Sequence, residues 1–347
     1  MLSELMGVIA DDLAVDLGTA NTLVFVPGRG IVLDEPSYVA IRTGPNEKRE
    51  VIAVGAEARA MVGKTPPGIE LIRPMRDGVI ADFVAAEAML KTFIKRASGK
   101  MKFLRPRVIV CVPASSTPVE RRAIYESALS SGARKVLLIE EPIAAALGAD
   151  LKIDEPRGNM VVDIGGGTTD IAVMSLGGVL KATSVRCAGD AMDQAIVRYI
   201  RRKYHLLIAE TNAERIKVEA GGAVRNGNGK AVDVVIRGRD LRRGLPTEVL
   251  LTTDDVSDAM SQPIDTISDA IQQTLDQIMP ELASDIADRG ICLTGGGSLL
   301  DQLDVELARR IGIPFFRADR PLLSVALGCG LVLERRGSLD RFLITPR

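Results

Sequence analysis

The chain has 347 residues, 46% hydrophobic and 26% charged, enough apolar surface for two cores in an ordinary globular protein. A formal net charge of −1 and the lack of Trp remove the basic field and the stacking surface that nucleic-acid binding needs. One His and four Cys without a C-x-x-C spacing argue against zinc and predict buried, reduced thiols suited to a cytosol.

In chain order, Leu2, Leu5, Met6 and Ile9 fit one helical face, but the segment carries Glu4, Asp11 and Asp12 and no basic residue. It lacks the basic flank of a signal peptide, and no apolar run in the chain is long enough to span a bilayer. Residues 12–33 read as a hairpin followed by a third strand, with a turn at Pro27-Gly-Arg-Gly30. Residues 34–76 form a Pro- and Gly-rich excursion. From Arg107 the order is strand, Ser/Thr/Pro turn, helix, Gly turn, strand, then a helix opened by Pro142. Residues 159–182 repeat the hairpin, turning at Gly177-Gly178, and 184–249 form a larger insertion. It carries a helix after Asp190, another after Thr211, and a strand pair around Arg242-Arg-Gly-Leu-Pro246. "GICLTGGGSLL" then opens a second strand–helix–strand run that ends in a helix through Ala326. The pattern predicts an α/β fold of two related halves with parallel strands.

Two stretches interrupt their strands with small residues, and they echo one another. "LAVDLGTANTLVFV" bends at Asp16-Leu-Gly-Thr-Ala-Asn-Thr22, and "VVDIGGGTTDIAVMS" bends at Asp163-Ile-Gly-Gly-Gly-Thr-Thr169. Glycine within a strand weakens it, so the gain lies in letting a backbone approach something closely. Successive N–H groups in such a bend make a nest for anionic oxygens, and Gly165, Gly166 and Gly167 have no Cβ to block a phosphate. Gly18, Thr19, Ala20 and Asn21 form a similar bend. Asp16 and Asp163, one at each strand end, supply oxygens for Mg²⁺, chiefly through water. A plainer account is two tight turns whose glycines serve positive φ. Two copies with Asp and Thr in register favour a phosphate clamp.

Other candidates carry weaker signals. Gly295, Gly296 and Gly297 follow a strand and open a helix, a common feature of α/β folds whose value here is its place in the second half. Glu140 and Glu141 stand at the C-terminal end of a strand. Glu140 reads as an acid favoured at a helix N-terminus. For Glu141 that reading and a water-activating role both stand. Glu214 fits a capping box with Thr211, and Lys217 fits a solvated face.

Together these residues resemble the actin, Hsp70 and sugar-kinase superfamily. The strings Ile72-Arg-Pro-Met-Arg-Asp-Gly-Val-Ile-Ala-Asp-Phe83, Val119-Glu-Arg-Arg-Ala123, Glu141-Pro142, Pro280-Glu-Leu-Ala-Ser-Asp-Ile286 and Leu293-Thr-Gly-Gly-Gly297, with the two bends, resemble the MreB family of bacterial actins nearly end to end. The resemblance implies an actin-like fold of two halves around a nucleotide cleft, each with a large and a small subdomain. Subdomain IA would take 1–33, 77–150 and the C-terminal segment 319–347; IB, 34–76; IIA, 151–183 and 250–318; IIB, 184–249. It further implies ATP and Mg²⁺ as cofactors. Thr19 to Asn21 and Gly165 to Thr168 would hold phosphates, and Asp16 and Asp163 would support the metal. Glu141 and Thr168 would position the attacking water. Glu214 and Lys217 would reach the ribose and base region, and Gly295 to Gly297 would flank the adenine.

As partners the resemblance implies a homopolymer, the inner face of the cytoplasmic membrane and membrane proteins of the cell-elongation machinery, with hydrolysis timing the polymer. Lys100-Met-Lys-Phe-Leu-Arg105 alternates basic and large apolar residues, so Met101, Phe103 and Leu104 are expected to insert at an anionic membrane surface rather than pack back on the core. Asp170, Asp34 and Ala188 depart from the family's usual Glu, Asn and Gly; a left-handed backbone at Ala188 would be strained. The alternative functions are a small-molecule kinase, for which no additional acidic motif is present, and a chaperone-like ATPase, for which there is no room for a peptide-binding domain.

Overall fold

The computed structural model describes residues 12–44, 49–98, 105–224, 233–335 and 337–344. The N-terminal face expected from Leu2 to Ile9 lies outside them, as do Met101, Phe103 and Leu104. The chain divides into two compact units, residues 1–152 with 322–347, and residues 153–321. No helix among the described residues is long and apolar enough to cross a membrane.

The first unit runs β1 (Leu13–Leu17), β2 (Asn21–Val26), β3 (Gly30–Pro36), β4 (Val39–Thr43), β5 (Arg49–Val54), β6 (Ile69–Ile72), β7 (Met75–Arg76), β8 (Val79–Ile80), α1 (Phe83–Ala97), β9 (Arg107–Val112), α2 (Pro118–Ser130), β10 (Lys135–Glu140) and α3 (Glu141–Gly148). Its main sheet has the order β10-β9-β1-β2-β3; β1 to β3 are antiparallel and β9 and β10 join parallel to β1. Strands β5-β4-β6 form a smaller sheet. Polar side chains set the helix starts. Asp82 accepts the Ala85 amide at 2.9 Å, and Thr117 and Glu120 cap α2 reciprocally behind Pro118.

The second unit runs β11 (Asn159–Ile164), β12 (Thr169–Ser175), β13 (Gly178–Val185), α4 (Gly189–Tyr204), β14 (Leu206–Leu207), α5 (Glu210–Ala220), β15 (Val234–Asp240), β16 (Pro246–Leu251), α6 (Thr253–Leu275), α7 (Pro280–Arg289), β17 (Ile291–Thr294), α8 (Leu303–Ile311) and β18 (Phe315–Arg317). The chain then re-enters the first unit as α9 (Ser324–Glu334). The main sheet has the order β13-β12-β11-β17-β18, an antiparallel meander with two parallel strands beside its first member. That is the order of the first sheet, so the duplication legible in sequence is a duplication of topology. Each unit has its own buried apolar cluster. All four cysteines are buried and free.

Within the second unit Asp255 ties α4 to α6. Its carboxylate accepts from Tyr199 at 2.9 Å and Tyr204 at 2.8 Å, pairs with Lys203, and caps its own helix through Thr252. Burial raises its pKa, but hydrogen bonds from Lys203, Tyr204, the Thr252 amide and Tyr199 outweigh this and hold it well below the ordinary 3.8. The stabilisation is therefore complete above about pH 4 and is lost as pH falls below it. Asp255→Asn is expected to cost about 2 kcal/mol at neutral pH. In urea unfolding that deficit should shrink toward about pH 3, and a deficit constant with pH would disprove the assignment.

Candidate nucleotide site

Each unit carries one Asp-headed bend at the same place in its sheet. In the first unit Asp16 lies on β1 opposite Leu23, and Gly18 to Ala20 connect β1 to β2. A Cβ on Gly18 would stand 2.5 Å from the Asn21 carbonyl oxygen, and its φ is not in the left-handed range. Glycine is needed here for space rather than for backbone hand. The Gly18 carbonyl accepts from the Ser37 hydroxyl at 2.7 Å, Thr19's from Arg73 at 3.2 Å, and Ala20's from the Ser37 amide at 2.9 Å. In a trans peptide the next N–H points opposite its carbonyl. The Thr19, Ala20 and Asn21 amides are thereby turned away from the groups that hold the bend. The Thr19 hydroxyl accepts from the Gly78 amide at 3.3 Å, and the Asn21 side chain donates to Asp34 at 3.0 Å.

The second unit repeats this arrangement with different partners. The Gly165 amide closes the bend on the Thr168 carbonyl at 2.9 Å. The carbonyls of Gly165 and Gly166 accept from the Gly189 and Asp190 amides of α4 at 3.2 and 2.8 Å, which turns the Gly166 and Gly167 amides away from that helix. Gly165 also avoids positive φ. Both bends thus lack the feature that a simple tight-turn account requires. Thr168 is buried, and Thr169 donates to the Cys187 carbonyl at 2.7 Å.

Asp163 is buried on β11, directly opposite Asp170 on β12, and accepts the Thr294 hydroxyl at 2.8 Å. Burial pushes its pKa up to about 7, with Thr294 pulling down and Asp170 adding to the rise. Gly295 to Gly297 pack against the same strand end. A Cβ on Gly295 would be 2.8 Å from the Asp163 carboxylate, and one on Gly297 would be 3.1 Å from the Cβ of Ile164. These glycines follow the strand and open a helix, as expected, though of 3₁₀ type. The 3₁₀ turn spans Gly296–Leu299, and α8 begins at Leu303.

Glu141 is the first residue of α3, at the C-terminal end of β10. With β1 and β9 in parallel register, Asp16 and Glu141 sit at the same end of the sheet, and both act electrostatically on the buried Cys111 thiol of β9. Glu140 accepts from Arg121 at 2.9 Å and makes no side-chain cap.

Two local readings need correction. The helix carrying Glu214 starts at Glu210 behind Ala209, so Thr211 lies inside it and forms no capping box. Lys217 does not sit on a solvated face. Its side chain is 17% exposed, pairs with Asp193 at 2.9 Å and donates to the Gly189 carbonyl at 3.0 Å. Ala188 has φ −158°, an extended backbone open to any residue, so a side chain there brings no strain. Sequence reasoning missed Ser37, Asp193 and Thr294. Only Thr294, beside the Gly run, carried a local signal.

Two sheets of one order, each opening an Asp-headed bend, define an actin-like fold. MreB5 of Spiroplasma citri, solved with ADP, matches at a TM-score of 0.87 and 36% identity over 93% of this chain and 96% of that one. A MamK double helical filament shares the fold at a TM-score of 0.79 and 22% identity, over 94% of this chain and 99% of that one. The MreB/Mbl protein family model matches residues 10–341, and the chain belongs to that family. The cell shape-determining protein MreB of Escherichia coli K12 is 51% identical over 337 residues, 96% of each chain. The cell shape-determining protein Mbl of Bacillus subtilis 168 is 46% identical over 332 residues, 96% of this chain and 98% of that one.

Proposed function

We propose that this chain binds and hydrolyses ATP and assembles with copies of itself into filaments at the inner face of the cytoplasmic membrane, where they organise wall synthesis and maintain cell shape. The observation that carries the reading is the pair of bends whose carbonyls are tied down from behind, which leaves oriented amides for phosphate oxygens. ADP and AMPPNP are bound in the solved Spiroplasma MreB5 structures, which supports a nucleotide as the ligand. In this reading Thr19 to Asn21 and Gly165 to Thr168 receive the phosphates. Glu214 and Lys217 reach the ribose and base region, and Gly295 to Gly297 flank the adenine. Glu141 accepts a hydrogen bond from the attacking water and Thr168 fixes its position.

Mg²⁺ fits the donors present. Asp163 is buried opposite a second carboxylate, and a cation offsets that repulsion and keeps Asp163 ionised. Among the described residues no three acidic, His or Cys side chains cluster for a metal. Asp16 and Asp163 would hold it, and when bound it would neutralise charge on the phosphates.

Pelleting with anionic vesicles tests the reading. Sedimentation that requires both ATP and lipid is the expected result. Stoichiometric phosphorylation of a small acceptor without polymer would instead establish a kinase. The membrane contact is assigned to Met101, Phe103 and Leu104, and membrane proteins of the cell-elongation machinery are the further partners. Phe103→Ser combined with Leu104→Ser is expected to leave filaments in the bottom fraction when vesicles are floated, and unchanged flotation would rule that segment out.

A further inference from the structure

Lys217 occupies an unusual position for a lysine. Its ammonium lies at the N-terminal end of α4, where the helix dipole opposes a cation, and only 17% of its side chain is exposed. Asp193 of α4 faces it, and the charges of Asp190 of α4 and Glu214 of α5 act on that carboxylate. Burial raises the pKa of Asp193, Lys217 pulls it down, and Glu214 and Asp190 add smaller rises. Asp193 makes an ion pair with the ammonium at 2.9 Å.

Gly189 makes this arrangement possible. A Cβ on it would meet the Lys217 ammonium at 3.2 Å, the Gly165 carbonyl at 3.4 Å and the Gly166 Cα at 3.7 Å. The glycine bend, the first turn of α4 and the tip of Lys217 therefore converge on one residue. The bend is held by the Gly189 and Asp190 amides, and Lys217 is held by the Gly189 carbonyl. A long, flexible side chain has been brought within a few ångströms of the phosphate bend and fixed there. A pair serving stability alone would sit more favourably away from a helix N-terminus.

We propose that Asp193 is a positioning residue that fixes the Lys217 ammonium for contact with the ribose of a nucleoside triphosphate. The proposal rests on the nucleotide reading given above and adds a residue to it. Asp193 does not touch the nucleotide; it acts through Lys217. Without its carboxylate the ammonium loses the Asp193 ion pair and is held less tightly, and ordering it costs affinity on every binding event.

Equilibrium binding of ATP and of 2′-deoxyATP to the full chain tests this in Asp193→Asn, Lys217→Met and the double variant. Each single change is expected to weaken ATP about tenfold, the loss of one charge-assisted hydrogen bond, and the double change no more than either. The preference for ATP over 2′-deoxyATP should fall to one common value in all three. Asp193→Glu should restore part of it. An ion pair that only stabilises the fold would lower the melting temperature and leave the ratio of the two nucleotides untouched, which would overturn the proposal. Losses that multiply in the double variant would also overturn it. If Asp193→Asn does not fold, Lys217→Met decides alone, and unchanged ribose discrimination there refutes the proposal. Failure of the unaltered chain to bind either nucleotide removes both this proposal and the nucleotide reading.

Discussion

Glu141→Ala is expected to slow ATP hydrolysis by about a hundredfold or more while leaving ATP affinity within a few-fold of the unaltered chain. The expectation follows from how the side chain is delivered. β10 runs parallel to β9 and ends at Glu140, and the next residue starts α3, so Glu141 leaves the sheet at the C-terminal end of its parallel strands on a rigid element. Its neighbour cannot substitute, because Glu140 is committed to Arg121 at 2.9 Å. The bend carbonyls are fixed by other residues, Ser37, Arg73, Gly189 and Asp190. Removing Glu141 should therefore change the chemical step and spare the phosphate contacts. Single-turnover phosphate release against equilibrium binding of a fluorescent nucleotide separates the two effects. A parallel loss of both would mean that Glu141 supports the fold of the site and does not act on water.

The bends were legible in the sequence because they occur twice, each with an Asp before and a Thr after the small residues. The duplicated sheet order follows from the same echo, since an antiparallel meander beside a parallel crossover leaves a distinct run of turns and helices in each half. What holds the bends was not legible. Ser37 is one serine in a Pro-rich excursion, and it reaches Gly18 and Thr22 only because β3 returns antiparallel beside β2. The capping reading of Glu214 failed for a different reason. A Thr-x-x-Glu string satisfies the capping pattern wherever it falls, and the helix starts one residue before Thr211, at Glu210. The Gly run at 295–297 likewise signals a close approach without saying to what. Its neighbours, Asp163 and Ile164, are more than a hundred residues earlier in the chain.

Gly328→Ala is expected to destabilise the first unit by roughly 3 kcal/mol, as a buried clash does. The reason is the packing of α3 on α9. A Cβ on Gly328 would stand 2.6 Å from the carbonyl carbon of Ala144 and 3.0 Å from its Cα. The contact is reciprocal, since a Cβ on Gly148 of α3 would stand 2.7 Å from the carbonyl carbon of Ser324 and 2.9 Å from the Gly328 amide. Backbone cannot yield as a flexible side chain does, so either substitution must push the two helices apart. Gly178→Ala is the matched control, because its Cβ would make an ordinary contact at 3.6 Å and its φ is not left-handed. It should cost no more than about 0.5 kcal/mol. One displacement of α3 from α9 relieves both clashes, so Gly148→Ala combined with Gly328→Ala should cost less than the sum of the two. Because α3 begins at Glu141, the same displacement should also lower hydrolysis in the fraction that remains folded. Urea unfolding of the single and double variants measures the coupling. Strict additivity would mean that each glycine serves a separate contact and that the helix pair does not move as a unit.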